Sequence, residues 1–240
     1  MDEKETKKKK ISTRLLIAVI IGVVGLGVLL YPTAADFVFN IQTASLKRDF
    51  FERTQSAQAS NDGTKPYEEL YQYLKAENEN LYKTGQSGLV DAFSYERAGI
   101  DLSNYGIEDG IIGFVEIPSL KVELPIYLGA NTENMRKGAV HLTQTSYPIG
   151  GPNTNSVIAA HRGSTTEMFR NIHNVKIGDE VLITNFREQL VYRVVEIEII
   201  LPTDINEVKI QDGRELVTLI TCNPLGANYE RYVVYCERVG

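Results

Sequence analysis

The sequence contains few of the residues that bind metals or cross-link small folds. It has only two cysteines and three histidines in 240 residues, and it has no Cys-x-x-Cys or His-Glu-x-x-His pattern. Two cysteines are too few for a disulfide scaffold, and the missing patterns argue against a transition-metal site. We therefore expect neither a metal nor a cofactor. Because 43% of the residues are hydrophobic, the chain can build a core without disulfides.

Negative charge exceeds positive charge outside the N-terminal segment. Residues 1–14 hold six Lys or Arg and three Asp or Glu, so they contribute +3 to a net charge of −6 and leave the remainder at −9. An acidic domain without a basic patch is not typical of nucleic-acid binding. We expect no nucleic-acid partner. Sequence repeats are also absent, as is low complexity beyond the lysine run.

One long run lacks charge altogether, and it follows the basic segment directly. Residues 15–31 read LLIAVIIGVVGLGVLLY, and counting from Ile11 brings the run to about the ~20 residues of a membrane helix. A cleaved signal peptide is the alternative, since PTAAD offers a small-residue site. The apolar core exceeds the ~7–15 residues usual in signal peptides, which favours an uncleaved anchor. We predict a cytoplasmic tail at 1–14, a transmembrane anchor at 15–31 and an extracellular remainder.

Residues 36–110 are predicted to be mainly helical. One helix leaves the membrane at Asp36 and ends near the turn-rich SNDGTKP. A second, YEELYQYLKAENENLYKTG, repeats Leu and Tyr every three or four residues and stops at its glycine. The irregular stretch after it, QSGLVDAFSYERAGIDLSNYGIEDG, is longer than an ordinary connection. Such loops are usually functional, for example as lids, or disordered.

The segment 111–240 changes to short runs rich in β-branched and aromatic residues, separated by Gly, Pro, Asn and Asp. Seven runs stand out, and AVHLT makes an eighth: IIGFVEIP, VELPIYL, NSVIAAH, EVLITNF, LVYRVVEIEIIL, LVTLITC and YVVYCERV. Together they predict a closed or nearly closed β-barrel, with one helical turn in TEMFRNIHNV.

Cys222 ends one of these runs, immediately before the turn NPLG. A cysteine taken alone is most often a small buried apolar side chain. In an exported domain, a disulfide with Cys236 is a second alternative. The position at a strand end allows the sulfur to face a cleft, where its thiolate would be a nucleophile.

Three histidines are candidates for the base that a cysteine nucleophile needs. His161 ends NSVIAAH just before a glycine turn, which is the same strand-end position as Cys222, although a solvated turn histidine is the alternative. His173 lies in the short helical turn and is expected to be structural or exposed. His141 lies within a strand, where it is either packed or a support for the site.

Arg231 opens the strand that follows Cys222. Most arginines at strand starts are solvated charges. In a hairpin, however, Arg231 would lie beside Cys222 and offer fixed donors to a carbonyl or its oxyanion. Arg162 is the alternative, but its side chain should diverge from that of the adjacent His161.

These motifs resemble those of sortases. TLITC resembles the family's Thr-Leu-x-Thr-Cys signature, Arg231 its arginine and AAHRG its histidine strand, and the likeness covers roughly residues 66–239. It implies a mainly β fold, an eight-stranded sortase-like β-barrel with N-terminal helices and a membrane-spanning helix. The segments HLTQTSYPIGGPNTNSVIAAHRG and TCNPLGANYERYVVYCERV look most like class C, the pilin-polymerising sortases.

Class C members carry a lid with an Asp-Pro-Phe/Trp motif before the barrel. Asp91 and Phe93 in VDAFS resemble it, which implies a lid over about residues 86–98. Ala92 replaces the family's proline, so a less rigid lid is expected. The second, C-terminal membrane segment of many class C members is not found in this sequence.

The resemblance implies a cysteine transpeptidase that acts on surface or pilin proteins carrying a Leu-Pro-x-Thr-Gly-like sorting signal. Cys222 would attack the Thr carbonyl and form a thioester, His161 would serve as general acid and then base, and Arg231 would hold the oxyanion. Thr221 is assigned to substrate binding. The acceptor amine would be a pilin lysine.

Three other functions remain open at this point. The chain could be a housekeeping sortase that anchors surface proteins to a cell-wall peptide amine. It could be a membrane-tethered binding module in which Cys222 and Cys236 form a disulfide. It could also be a cysteine protease that only hydrolyses its substrate.

Overall fold

The structure is a computed structural model that describes residues 13–59, 67–87, 89, 99–163, 166 and 168–239. Most of the predicted lid, including Asp91 and Phe93, lies outside the described residues. So does most of the predicted basic tail.

Three α-helices occur in the described part of the chain: α1 (Thr13–Ala59), α2 (Glu68–Thr84) and α3 (Thr132–Lys137). The apolar run and the helix predicted from Asp36 form one element, because α1 continues through Pro32. Helix α2 occupies the segment predicted from its Leu and Tyr spacing, and it ends at Gly85 in the left-handed conformation that glycine adopts without strain. Helix α3 was not predicted.

The prediction of an eight-stranded barrel is confirmed. Its strands pair in the order β1-β2-β3-β4-β7-β8-β6-β5, and β5 closes the barrel by pairing with β1. The strands of the described chain are β1 (Ile111–Ile117), β2 (Val122–Leu128), β3 (Ala139–His141), β4 (Thr154–Ala159), β5 (Glu180–Asn185), β6 (Gln189–Ile200), β7 (Glu215–Asn223) and β8 (Glu230–Arg238).

The strands differ in how much of their length is buried. Every residue of β4 is buried, and β7 is buried from Leu216 to Thr221, as expected for strands covered on both faces. Strand β6 instead alternates between buried and more exposed residues along its first half, as expected for a strand with one solvated face. Strands β4 and β7 are therefore enclosed over most of their length, whereas β6 has a solvated face.

The C-terminal part of α1 packs against the barrel. Phe50 is fully buried, and its ring lies 5.4 Å from that of Phe114 in β1. Lys47 forms ion pairs of 2.9 Å with both Glu116 and Glu123. Aromatic packing and charge thus fix this end of the helix.

The N-terminal part of α1 is apolar and exposed. Its most apolar window has a mean hydropathy of 2.6, and none of that window is buried against the protein. The helix is therefore long and apolar enough to cross a membrane. The predicted boundaries of tail, anchor, helical region and catalytic barrel stay a prediction.

His141 proves to be packed within the barrel. Its ring is fully buried, stacks on Tyr147 at 5.0 Å between ring centroids, and places Nε2 2.9 Å from the carbonyl oxygen of Ser146. Burial lowers the pKa of His141 to about 4, although the contacts with Ser146 and Thr145 act in the opposite direction. The imidazole is therefore neutral in the folded protein near neutral pH.

We predict that His141 makes the fold sensitive to acid. Below pH 6.5 the unfolded chain gains a proton that folded His141 resists until about pH 4, so the free energy of unfolding should fall across this window by about 3 kcal/mol from this group. Urea unfolding of the full chain in detergent, measured across the window, tests this expectation. The free energy of unfolding of His141→Phe should depend less on pH than that of the wild type. The exposed His173→Gln variant, the control, should keep the pH dependence of the wild type. Equal pH dependence in wild type and His141→Phe would contradict it.

Candidate active site

The register of three neighbouring strands brings the predicted site residues to one level of the barrel. Strand β7 lies between β4 and β8. On one side it pairs with β8 so that Cys222 lies directly opposite Arg231. On the other side it runs parallel to β4, with Ala159 beside Ile220. Cys222 is therefore flanked by the end of β4 and by the start of β8.

Cys222 and Arg231 share a face of the sheet because they are direct cross-strand partners. Cys222 is partly exposed, whereas Arg231 is only 6% exposed. The Nη1 atom of Arg231 donates to the carbonyl oxygens of Asn228 and Glu230, at 2.7 and 3.0 Å. The guanidinium is therefore held by its own turn, in a desolvated place where its hydrogen bonds are strong.

His161 reaches the level of Cys222 because β4 and β7 stay paired beyond the last strand residue. The Ala160 amide donates to the Ile220 carbonyl at 3.3 Å, and the Thr221 hydroxyl donates to the Ala160 carbonyl at 2.7 Å. His161 is the next residue, and it is partly exposed. Burial, and then the positive charge of Arg136, lower the pKa of His161, so its neutral form is favoured.

The side chain of Arg162 turns away from His161, as its adjacency predicts. Its Nη1 donates to Oδ1 of Asn223 at 2.5 Å, and its guanidinium lies 5.3 Å from the ring centre of Tyr232. Asn223 in turn donates to Glu230 at 2.7 Å. Because neighbouring residues of a strand face opposite sides, this polar chain braces the strand ends from the side opposite Cys222.

A close approach of two turns encloses the site. Gly163 has φ +95°, and a Cβ there would lie 3.4 Å from the Gly226 nitrogen. The turn after His161 therefore rests against the loop that joins β7 to β8. Glycine is favoured at this position by its left-handed backbone conformation.

Thr221 is fully buried, and its hydroxyl bonds the Ala160 carbonyl. In this structure it joins β4 to β7 directly beside Cys222. Its predicted role in substrate binding stays a prediction, and so do the lid roles of Asp91 and Phe93, which lie outside the described residues.

The two cysteines differ in both burial and position. Cys236 is fully buried, and burial raises the pKa of its thiol. It lies opposite Val217, five residues along β7 from Cys222, or roughly 16 Å at the rise of a strand. A disulfide cannot span that separation, and the structure contains none between these two residues. The alternative function, a binding module that contains a Cys222–Cys236 disulfide, therefore does not fit this geometry.

Sequence reasoning missed two features of the site. One is Asn223, which links Arg162 to Glu230. The other is Arg136 on α3, whose charge acts on His161. The signal for α3 was present, since Asn131 caps the helix and Gly138 ends it.

The arrangement offers a thiol, an imidazole and a guanidinium on three neighbouring strands. This set can supply a nucleophile, a proton carrier and an oxyanion donor for acyl transfer. Among the described residues, no group of three or more His, Cys, Asp or Glu side chains is arranged to hold a metal ion.

Comparison with known families assigns this barrel to a class of enzyme. Residues 115–239, more than half of the chain, match the family described as Sortase domain. The chain belongs to the sortase family, whose members are cysteine transpeptidases.

Particular relatives agree with this assignment. The chain is 28% identical to sortase A of Bacillus anthracis over 186 residues, which covers 73% of this chain and 87% of the relative. The structure of sortase C1 from Streptococcus agalactiae is similar with a TM-score of 0.66 and 32% identity, covering 71% of this chain and 88% of that one. A pilus-related sortase C of Group B Streptococcus is similar with a TM-score of 0.59 and 31% identity, covering 70% and 91%. The structural neighbours thus include class C sortases.

We predict that only one of the two thiols reacts in the folded protein. A methanethiosulfonate reagent should label the partly exposed Cys222 rapidly and the buried Cys236 only after denaturation, because the attacking species is an accessible thiolate. Mass spectrometry of the full chain counts the adducts, and Cys236→Ala serves as the matched control with unchanged labelling. Rapid double labelling of the native protein, or persistence of the fast adduct in Cys222→Ala, would contradict the prediction.

Proposed function

We propose that this protein is a class C sortase, which cleaves a Leu-Pro-x-Thr-Gly-like sorting signal between Thr and Gly and joins the Thr carbonyl to a pilin lysine. The observation that carries the proposal is the register of β4, β7 and β8. In that register His161, Cys222 and Arg231 lie at the same end of three neighbouring strands.

In the proposed acylation step, neutral His161 takes the proton of the Cys222 thiol, and the resulting thiolate attacks the Thr carbonyl carbon. A C–S bond forms, and the negative charge that develops on the carbonyl oxygen is met by donors of Arg231. The C–N bond to Gly then breaks as the His161 imidazolium donates a proton to the leaving amine. A Cys222 thioester and a free Gly amine result.

In the transfer step, the acceptor amine attacks the thioester carbonyl. His161, now neutral, takes the proton of the amine as the new C–N bond forms, and it passes this proton to the Cys222 sulfur as the C–S bond breaks. Low proton affinity of His161 suits the first step, because it makes the imidazolium a good donor to the leaving amine. Arg231 supplies the same oxyanion donors in both steps, since its own turn holds it in place.

Support for a pilin lysine as acceptor comes from the relatives. The similar structures include sortases C, and one is titled pilus-related. The resemblance of VDAFS to the class C lid points the same way. The similarity to a sortase A keeps the anchoring reaction on a cell-wall peptide amine as the second candidate.

We further propose that α1 crosses the membrane with the basic residues on the cytoplasmic side and the barrel outside. The exposed apolar surface of its N-terminal part supports this placement, because none of its most apolar window is buried against the described chain. The packing of Phe50 and Lys47 then holds the barrel close to the membrane surface.

The proposed function predicts an amine-dependent transfer product. The full chain in detergent, mixed with a Leu-Pro-x-Thr-Gly peptide, should form a thioester that mass spectrometry detects. The acyl group should then appear on a lysine-containing pilin-motif peptide. Cys222→Ala should form no thioester, and Cys236→Ala should retain it.

The acceptor decides between the remaining alternatives. Transfer to a cell-wall peptide amine but not to the lysine peptide would indicate the anchoring reaction. Release of free acid at the same rate with and without amines would indicate a protease and overturn the proposal.

We also predict that Arg231 acts through its planar donor geometry rather than its charge alone. Arg231→Lys should lower the rate of thioester formation by on the order of 10²–10³, because one ammonium does not reproduce the fork of a guanidinium. Arg162→Lys is the matched control, since Arg162 points to Asn223 on the other side of the strands and should keep most of its activity. Unfolding curves establish that both variants fold. Wild-type rates in Arg231→Lys would show that positive charge is sufficient.

A further inference from the structure

Helix α3 leads through Gly138 into β3, the neighbour of the strand that ends just before His161. It connects β2 to β3, and β3 runs antiparallel to β4 with Val140 opposite Ala159. Continuing that register by two residues brings Gly138 level with His161. Arg136, in the last turn of α3, is therefore at the same end of the barrel as the catalytic strand ends, on the side of His161 away from Cys222.

The backbone around Arg136 is fixed at two points. The Asn134 side chain donates to the carbonyl oxygens of Leu128 and Gly129, at 2.9 and 3.1 Å, which ties α3 to the end of β2. At Gly138 a Cβ would lie 2.7 Å from the Pro125 carbonyl oxygen, so the helix end is packed too tightly for any larger residue. Arg136 is therefore presented from a rigid support.

The two cations at the end of α3 differ in their partners. Lys137 forms an ion pair with Glu133 at 2.6 Å, which neutralises its charge locally. Within the described residues, Arg136 is exposed and forms no ion pair. Burial of the imidazole is the larger cause of the lowered pKa of His161, and the positive charge of Arg136 lowers that pKa further.

We propose that Arg136 is a positioning residue of the transfer reaction: its positive charge beside His161 keeps the imidazole neutral at rest and makes the imidazolium a stronger proton donor to the leaving amine. This inference rests on the proposed function for its catalytic consequence. The coupling between Arg136 and His161 itself can be measured without any reaction.

Other charged or titratable groups also lie on the elements around His161. They include Cys222 on β7, Arg231 on β8, Arg170 in the turn that follows and the neighbouring Arg162, together with Glu133 and Lys137 on α3 and the buried His141 on β3. Arg231 is directed to the carbonyls of its own turn, and Arg162 to Asn223 and Tyr232. Arg136, rather than any cation of this set, is the charge that lowers the pKa of His161 beyond the effect of burial.

The test is an NMR titration of the full chain in detergent micelles. The Cys222→Ala background prevents turnover, and loss of a resonance in His161→Gln assigns the C2 proton of His161. Arg136→Gln should move the titration midpoint of His161 to higher pH, and Arg136→Lys should restore it toward the wild-type value. Lys137→Gln, the matched control, should leave it unchanged, because the Lys137 charge is paired with Glu133.

With Cys222 restored, the pH profile of thioester formation should follow the titration. The Arg136→Gln profile should shift to higher pH, with a lower kcat and an unchanged KM, while Arg136→Lys should behave like the wild type. An unshifted His161 midpoint in Arg136→Gln, or an equal shift in Lys137→Gln, would overturn the inference even if thioester forms normally. If the His161 midpoint shifts in Arg136→Gln but the wild-type protein forms no thioester, the coupling is supported and the proposed function is overturned.

Discussion

The site depends on the pairing of β7 with β4 on one side and with β8 on the other. Both pairings are enforced by burial, since β4 is fully enclosed and β7 nearly so. A slip of one residue would turn Thr221 or Asn223 to the face that Cys222 occupies and would place buried side chains in solvent. The hydroxyl of Thr221 extends the pairing to Ala160, one residue before His161. The hydrophobic core therefore sets the geometry on which the proposed chemistry relies.

Charge is distributed unevenly over this protein. The chain beyond residue 14 carries a net charge of −9, yet three arginines, Arg136, Arg162 and Arg231, surround the ends of the catalytic strands. A local excess of positive charge favours a thiolate and an oxyanion and disfavours an imidazolium. The fold directs two of them to different partners, Arg162 to Asn223 and Arg231 to the carbonyl of Asn228 in the β7–β8 turn, while the charge of Arg136 acts on His161 in addition to the effect of burial.

Local sequence signals predicted the strands and the strand-end positions of Cys222 and His161, because β-rich runs and turn residues are read within a few positions. They could not predict the level at which β4 meets β7, since parallel pairing joins segments about 60 residues apart and its register follows from the packed barrel. Arg136 was missed because its importance comes from the position of α3 and not from a motif. His141 could be assigned to the core only once its stacking on Tyr147 was visible.

Cys236 pairs with Val217, which lies five residues along β7 from Cys222, and this separation has a consequence for redox chemistry. Outside a reducing cytosol, a thiol enzyme with two cysteines can be silenced when they oxidise to an internal bridge. Here Cys236 lies opposite Val217 and is sealed in the core, so it cannot form such a bridge with Cys222. Oxidative inactivation must therefore come from small external oxidants, which lead through a sulfenic acid that a reductant can still reverse.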